Sequence, residues 1–279
     1  MKMRKLSFLL FAFWQVCLFA GNYEVLSPDG KLKVALMVSD VLGMEVSYDG
    51  QQLFGASNMG LCLQQKSFKP VVSSVKHSSA NETITPVVPF KFSAVKNHYN
   101  ALRLNLKGGL AVEFRAYDDG MAYRFITNGR GGKAMVYNET ADFYLPEESM
   151  LHMQQPETFK TPYEEPYSHV ELKDWNDSSK FALLPLLVDT KKGVKLLFSE
   201  SDLHDYPCMF LKANSGKGVS ALFPKYPLET KSISDRSINV VREADYIAST
   251  LAKRTYPWRY VVVASKDGDL VENTFTCRL

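Results

Sequence analysis

The sequence is short of cysteine. Four stand in 279 residues and none in a CxxC spacing, which excludes a zinc knuckle as a reading of the chain. An excess of either charge is also missing once the first segment is set aside. Residues 1–20 hold Lys2, Arg4 and Lys5 and no acid, and removing these three from the 33 Lys and Arg leaves 30, against 30 Asp and Glu. Nucleic-acid and polybasic membrane contacts both want a basic excess, so neither a nucleic acid nor a membrane is expected as a partner. There is no internal repeat, low-complexity tract or linker. Helical periodicity is absent except for a short stretch at 268–273.

A long apolar run lies at the start. Residues 6–13 are almost wholly apolar after a basic beginning, and Leu18-Phe19-Ala20 ends in a small residue. This reads as a secretory signal peptide over 1–20, too short for a comfortable membrane span. Cys17 raises a lipoprotein. Trp14-Gln15-Val16 before it lacks the small residue such a signal needs, so plain export to the periplasm or beyond is expected. Export permits one disulfide among Cys62, Cys208 and Cys277 with a thiol left over. Three small buried hydrophobes is the favoured alternative.

What the chain has instead is strands. In GLAVEFRAYDDGMAYRFIT, residues 109–127, Leu110, Val112, Phe114 and Ala116 alternate with Ala111, Glu113, Arg115 and Tyr117. After Asp118-Asp119-Gly120 the alternation resumes, with Met121, Tyr123 and Phe125 against Ala122, Arg124 and Ile126. Period-two runs joined by Asp-Gly predict a tight hairpin. Arg115 and Arg124 are expected near the Asp pair as a charge cluster that fixes the turn. Similar short runs, with turn signals about every ten residues, fill 23–145 and 181–264. That rhythm predicts an all-β antiparallel sandwich of two large packed sheets, spanning 21–279 as one domain.

Between 146 and 175 the rhythm breaks. Pro146, Pro156, Pro162 and Pro166 punctuate a segment read as a long irregular loop, a kind of segment more often functional than not. It concentrates carboxylates, imidazoles and aromatics: His152, Tyr163, Glu164, Glu165, Tyr167, His169 and Trp175. Tyr163, Tyr167 and Trp175 could stack on sugar rings or pack the loop onto the sheet. Glu164 and Glu165 are adjacent, so in extended chain their carboxylates point apart and do not make a catalytic pair. His152 and His169 lack metal-like sequence spacing and read as structural.

Ser27-Pro28-Asp29-Gly30-Lys31-Leu32, the hairpin from Arg115 to Arg124, the Tyr163-Glu164 pair and Arg254-Thr255-Tyr256-Pro257-Trp258-Arg259 together resemble the N-terminal domain of glycoside hydrolase family 97. The resemblance covers essentially 21–279. It implies a β-super-sandwich that, in exported α-glucosidases and α-galactosidases, precedes a (β/α)₈ catalytic barrel. It implies that this domain covers the mouth of the active site and lends a glutamate to a calcium ion. By motif position that ligand resembles Glu164, with Glu165 the near alternative. It places neither catalytic carboxylate in this chain, which ends about where the barrel should begin. Calcium is therefore expected to bind weakly or not at all without a barrel, and an α-linked glycan is the implied substrate. Two other readings stay open: a free-standing carbohydrate-binding sandwich, and a self-sufficient glycosidase using Asp118, Asp119, Glu164 or Glu165. An apolar docking surface is expected from 146–175 and from the C-terminal strand and tail.

Overall fold

The computed structural model describes residues 21–64, 68–88 and 90–279; the expected signal peptide lies outside the described residues. Among these the strands, in order, are β1 Gly21–Leu26, β2 Leu32–Val38, β3 Leu42–Tyr48, β4 Gln51–Leu63, β5 Val72–Ile84, β6 Val95–Leu106, β7 Leu110–Tyr117, β8 Gly120–Tyr144, β9 Met150–Gln154, β10 Tyr167–Glu171, β11 Phe181–Ala182, β12 Leu186–Asp189, β13 Lys195–Ser201, β14 Phe210–Ala213, β15 Gly218–Leu222, β16 Pro227–Ser234, β17 Ser237–Glu243, β18 Ala248–Thr255 and β19 Trp258–Ala264. Seventeen of them hydrogen-bond into one continuous sheet that folds over on itself as an antiparallel sandwich; β16 and β17 form a separate two-stranded sheet. The all-β expectation is met.

The hairpin 109–127 is the organising element. β7 pairs with β8 from Leu110↔Thr127 to Tyr117↔Gly120, leaving Asp118 and Asp119 as a two-residue loop. Val112, Phe114, Met121, Tyr123 and Phe125 point into the main core. That core is shared between the layers: Phe54 of β4 and Phe143 of β8 both meet Phe198 of β13 edge-on, with centroids 5.5 and 5.3 Å apart. Such pairs contribute about 0.5–1.5 kcal/mol beyond their area.

The other face of the hairpin is buried as well. Tyr117 and Ala122 join Trp258, Tyr260, Val262 and Phe275 in a second apolar cluster. The C-terminal tail covers it, through a short helix at Asp267–Val271 and a 3₁₀ turn at Phe275–Arg278, with Phe275 5.2 Å from Tyr260. β19 is consequently buried at all seven positions. A strand with apolar cover on both sides reads as a continuous hydrophobic run, which is why this one does. It is not a docking surface, and that part of the expectation is corrected. Exposed apolar side chains stand instead before β6, at Val87, Val88 and Phe90, and on the β16–β17 hairpin, where Ile233, Ile238, Val240 and Val241 are each about half exposed.

Two further stretches differ from the expectation. The segment 146–175 is not irregular throughout, because it contains β9, β10 and a 3₁₀ turn at Leu172–Asp174. Sequence also divides 70–88 into two strands, 70–75 and 84–88, whereas β5 is a single thirteen-residue strand paired only with β6. β5 is exposed on almost all its length, so it carries no apolar alternation to read. No disulfide joins Cys62, Cys208 or Cys277, and each is half-buried.

Candidate functional site

The loop 155–166 joins β9 to β10, whose register runs from Tyr167↔Gln154 to Glu171↔Met150. Four contacts hold it. Gln154 Nε2 donates to the Glu165 carbonyl. Trp175 Nε1 donates to Gln155 Oε1 at 2.9 Å. Phe159 packs 5.0 Å from both Phe181 and Phe210. Lys160 Nζ donates to Asn239 Oδ1 at 2.8 Å, tying the loop to the β16–β17 hairpin.

Tyr163 sits at φ +62°, a left-handed conformation that bulky residues rarely adopt. It persists because its neighbours fix it: its N–H donates to Thr161 Oγ1 at 3.1 Å and its ring lies 6.5 Å from Phe210. Burial, with the adjacent Cys208 thiol, pushes its phenol up to about 12. The consequence falls on the next residue. Glu164 is exposed, and no hydrogen bond or ion pair among the described residues engages its carboxylate. Glu165 is half-buried and its backbone is tied to β9. The loop therefore presents one carboxylate from a constrained backbone.

Of the three aromatics proposed to face sugar, Tyr163 and Tyr167 are 48% and 58% exposed, whereas Trp175 is 2% exposed. Trp175 is corrected to a packing residue. It closes the 3₁₀ turn beside the equally buried Leu172, and its one polar atom serves Gln155.

The acids of the hairpin turn are engaged elsewhere. Asp118 Oδ1 accepts the Asp29 N–H at 2.9 Å, and Asp119 pairs with Arg278 and accepts from Asn273, which fastens the tail. Arg115 and Arg124 do not stand with these acids. Both pair with Glu113, at 3.0 and 3.6 Å, and both lie over Trp258, at 4.4 and 4.2 Å. Period two explains the correction: Glu113, Arg115 and Arg124 share the face that Trp258 packs on, and the turn does not.

A buried ionic group was not legible in the sequence. Arg259 donates from Nε and Nη2 to the two oxygens of Glu139, at 2.9 and 3.0 Å, and from Nη1 to Glu200. Burial alone would lower the guanidinium's pKa, but the two carboxylates outweigh it and raise it. Glu200 also accepts the Met209 N–H, which ties the triad to the segment carrying Cys208 beside Tyr163. The late Arg254–Arg259 motif was the available signal, since it ends on this arginine.

Calcium takes six to eight oxygen ligands. Among the described residues no group of three or more His, Cys, Asp or Glu side chains is arranged to hold a metal ion. The described carboxylates do not gather into a calcium site. Glu164 can supply one carboxylate to a site completed from elsewhere.

Residues 25–279 match the family described as Glycosyl-hydrolase 97 N-terminal. The chain belongs to that family. This family 97 N-terminal domain is 31% identical to a retaining alpha-galactosidase of Bacteroides thetaiotaomicron, over 96% of the chain and 43% of the relative. Among solved structures it superimposes on a glycoside hydrolase family 97 enzyme of Pseudoalteromonas sp. strain K8, in complex with acarbose, with a TM-score of 0.74 and 18% identity, over 91% of the chain and 37% of that protein. A beta-arabinopyranosidase aligns with a TM-score of 0.70 and 20% identity, over 87% and 40%. The chain thus spans less than half the length of these relatives. At such identities the solved structures speak for the fold alone.

Proposed function

We propose that this chain is the non-catalytic N-terminal domain of a calcium-dependent α-glycosidase. In this reading it lies over the mouth of a (β/α)₈ catalytic barrel and lends the Glu164 carboxylate to a calcium ion beside the reacting sugar of an α-linked glycan. Export by residues 1–20 to the periplasm or outside belongs to the same reading.

The observation that carries it is the presentation of Glu164. A loop held at four points, with a strained Tyr163 before the glutamate, fixes the backbone yet leaves the carboxylate unengaged. A fixed backbone with a free carboxylate is what a ligand completed from another segment would need, which supports the reading. Three further points support it. Asp118 and Asp119 are engaged in holding the turn and tail, which disfavours a self-sufficient glycosidase. Burial of Trp175 leaves Tyr163 and Tyr167 of the three aromatics expected to face sugar, a thin platform for a free-standing glycan-binding module. Finally, Lys160 links the Glu164 loop to the exposed apolar hairpin, so one catalytic domain could cover both.

Glycoside hydrolysis needs two carboxyl groups flanking the scissile bond. The 279-residue chain is accordingly expected not to hydrolyse p-nitrophenyl α-galactoside or α-glucoside. Turnover by the pure protein that disappears in Glu164→Gln or Asp119→Asn would overturn the reading.

A further inference from the structure

His152 and His169 are seventeen positions apart, yet β9 and β10 set them directly opposite one another. Cross-strand partners share one face of a sheet, with Cβ atoms about 4.5–5.5 Å apart. The neighbours of His152 on β9, Leu151 and Met153, point into the core, so both imidazoles stand on the outer face. On β10 the exposed positions are Tyr167, His169 and Glu171. The two rings lie 4.8 Å apart at 66°, and their Nδ1 atoms are 2.6 Å apart.

An imidazole ligates metal through an unprotonated ring nitrogen. The two Nδ1 atoms share one proton across fixed strands, and displacing that proton leaves two neighbouring nitrogen donors, the two arms of a chelate. The separation that a metal needs between such donors depends on its geometry. A tetrahedral zinc ion with Zn–N near 2.0–2.1 Å holds its nitrogens about 3.3 Å apart. Cis nitrogens of a square-planar centre with bonds of similar length lie about 2.9 Å apart. The hydrogen-bonded spacing is shorter than either, so the rings must part on binding, and they part least for a square-planar centre. Square-planar nitrogen and oxygen sites suit copper(II) or nickel(II), and copper(II) stands at the top of the affinity order for divalent first-row metals.

We propose that His152 and His169 form a two-histidine chelate for copper(II) on the outer face of the β9–β10 pair, with water completing the coordination. The nearby Asp189 is not a free third arm, because its carboxylate accepts from the Lys191 N–H and Nζ. A two-nitrogen site open to solvent should bind in the micromolar range. It is separate in chemistry from the Glu164 carboxylate, which suits a hard cation, and does not depend on the reading of that residue.

The test uses the full chain, stripped with a chelator and desalted, then titrated with copper(II) sulfate. Calorimetry reads stoichiometry and affinity, and electron paramagnetic resonance reads nitrogen ligation. The expected result is one copper per chain with nitrogen hyperfine structure, and weaker binding of zinc. His169→Asn should weaken copper binding roughly 100-fold, since the second arm of a chelate acts at high effective concentration. His152→Asn should do the same and His204→Asn should change nothing. His169 is exposed, so its substitution leaves the fold intact should His152→Asn fail to express. No copper binding at 100-fold excess over protein would overturn the proposal and leave the pair as a hydrogen bond alone. Binding that survives His169→Asn, or falls equally in His204→Asn, would overturn it too.

Discussion

Arg259 and Glu139 face each other across the β19–β8 region as a two-pronged ion pair, N–H to oxygen at 2.9 and 3.0 Å, with both side chains all but sealed from water. A buried charge that loses its partner is expensive, so Arg259→Met should cost about 3–5 kcal/mol by leaving two uncompensated carboxylates. Arg259→Lys should not restore it, because an ammonium cannot make the planar fork. Urea denaturation of the two variants checks both statements.

Two glycines should separate cleanly. A Cβ on Gly218 would lie 1.8 Å from the Phe143 carbonyl oxygen, where β15 crosses close to β8. Gly218→Ala must shift backbone and should destabilise by about 3 kcal/mol, the upper end for overpacking. A Cβ on Gly268 would meet nothing within 4 Å, inside the short C-terminal helix. Gly268→Ala should stabilise slightly, by up to ~1 kcal/mol. Thermal melts of the pair decide it.

The turn after β12 predicts an acid-side loss of stability. The Lys191 N–H and Nζ hold the Asp189 carboxyl below its ordinary range, against a smaller opposing effect of burial. A carboxylate with a folded pKa below its unfolded value stabilises above the unfolded pKa, and that contribution fades as pH falls through the folded one. Wild type should therefore lose more stability than Asp189→Asn between pH 5 and about 2. Equal slopes of melting temperature against pH would rule the contribution out.

How far sequence could see depended on whether the signal was local. The β7–β8 hairpin was legible because Val112, Phe114, Met121 and Tyr123 repeat with period two around Asp-Gly. β19 was legible as an apolar run, but the reason it is apolar on both faces, the tail bearing Phe275, lies eleven or more positions on. β5 was divided because an exposed strand paired along one edge has no apolar stripe. Trp175 was offered as a sugar platform, with packing onto the sheet as the alternative, because it is one of the aromatics concentrated in 146–175; the better signal was Leu172, three positions earlier, on the same side of a 3₁₀ turn. Arg259 with Glu139 and Glu200, and His152 with His169, are meetings made by strand register. No spacing along the chain announces them. Glu164 itself was found through resemblance; its constrained backbone and unengaged carboxylate became visible only in three dimensions.

The most direct test of the central claim is the calcium response of an assembled enzyme. The chain would be joined, by fusion or in trans, to the catalytic barrel of a family 97 α-galactosidase, and hydrolysis of p-nitrophenyl α-galactoside followed as calcium is restored after chelation. Alone, the chain should gain little melting temperature from calcium, because one carboxylate makes a weak site and stabilisation follows ligand occupancy. Assembled, it should show calcium-dependent activity that Glu164→Ala removes and Glu165→Ala leaves in place. The account is contradicted if Glu164→Ala leaves the calcium response untouched while Glu165→Ala abolishes it, or if the chain by itself already binds calcium at micromolar concentration.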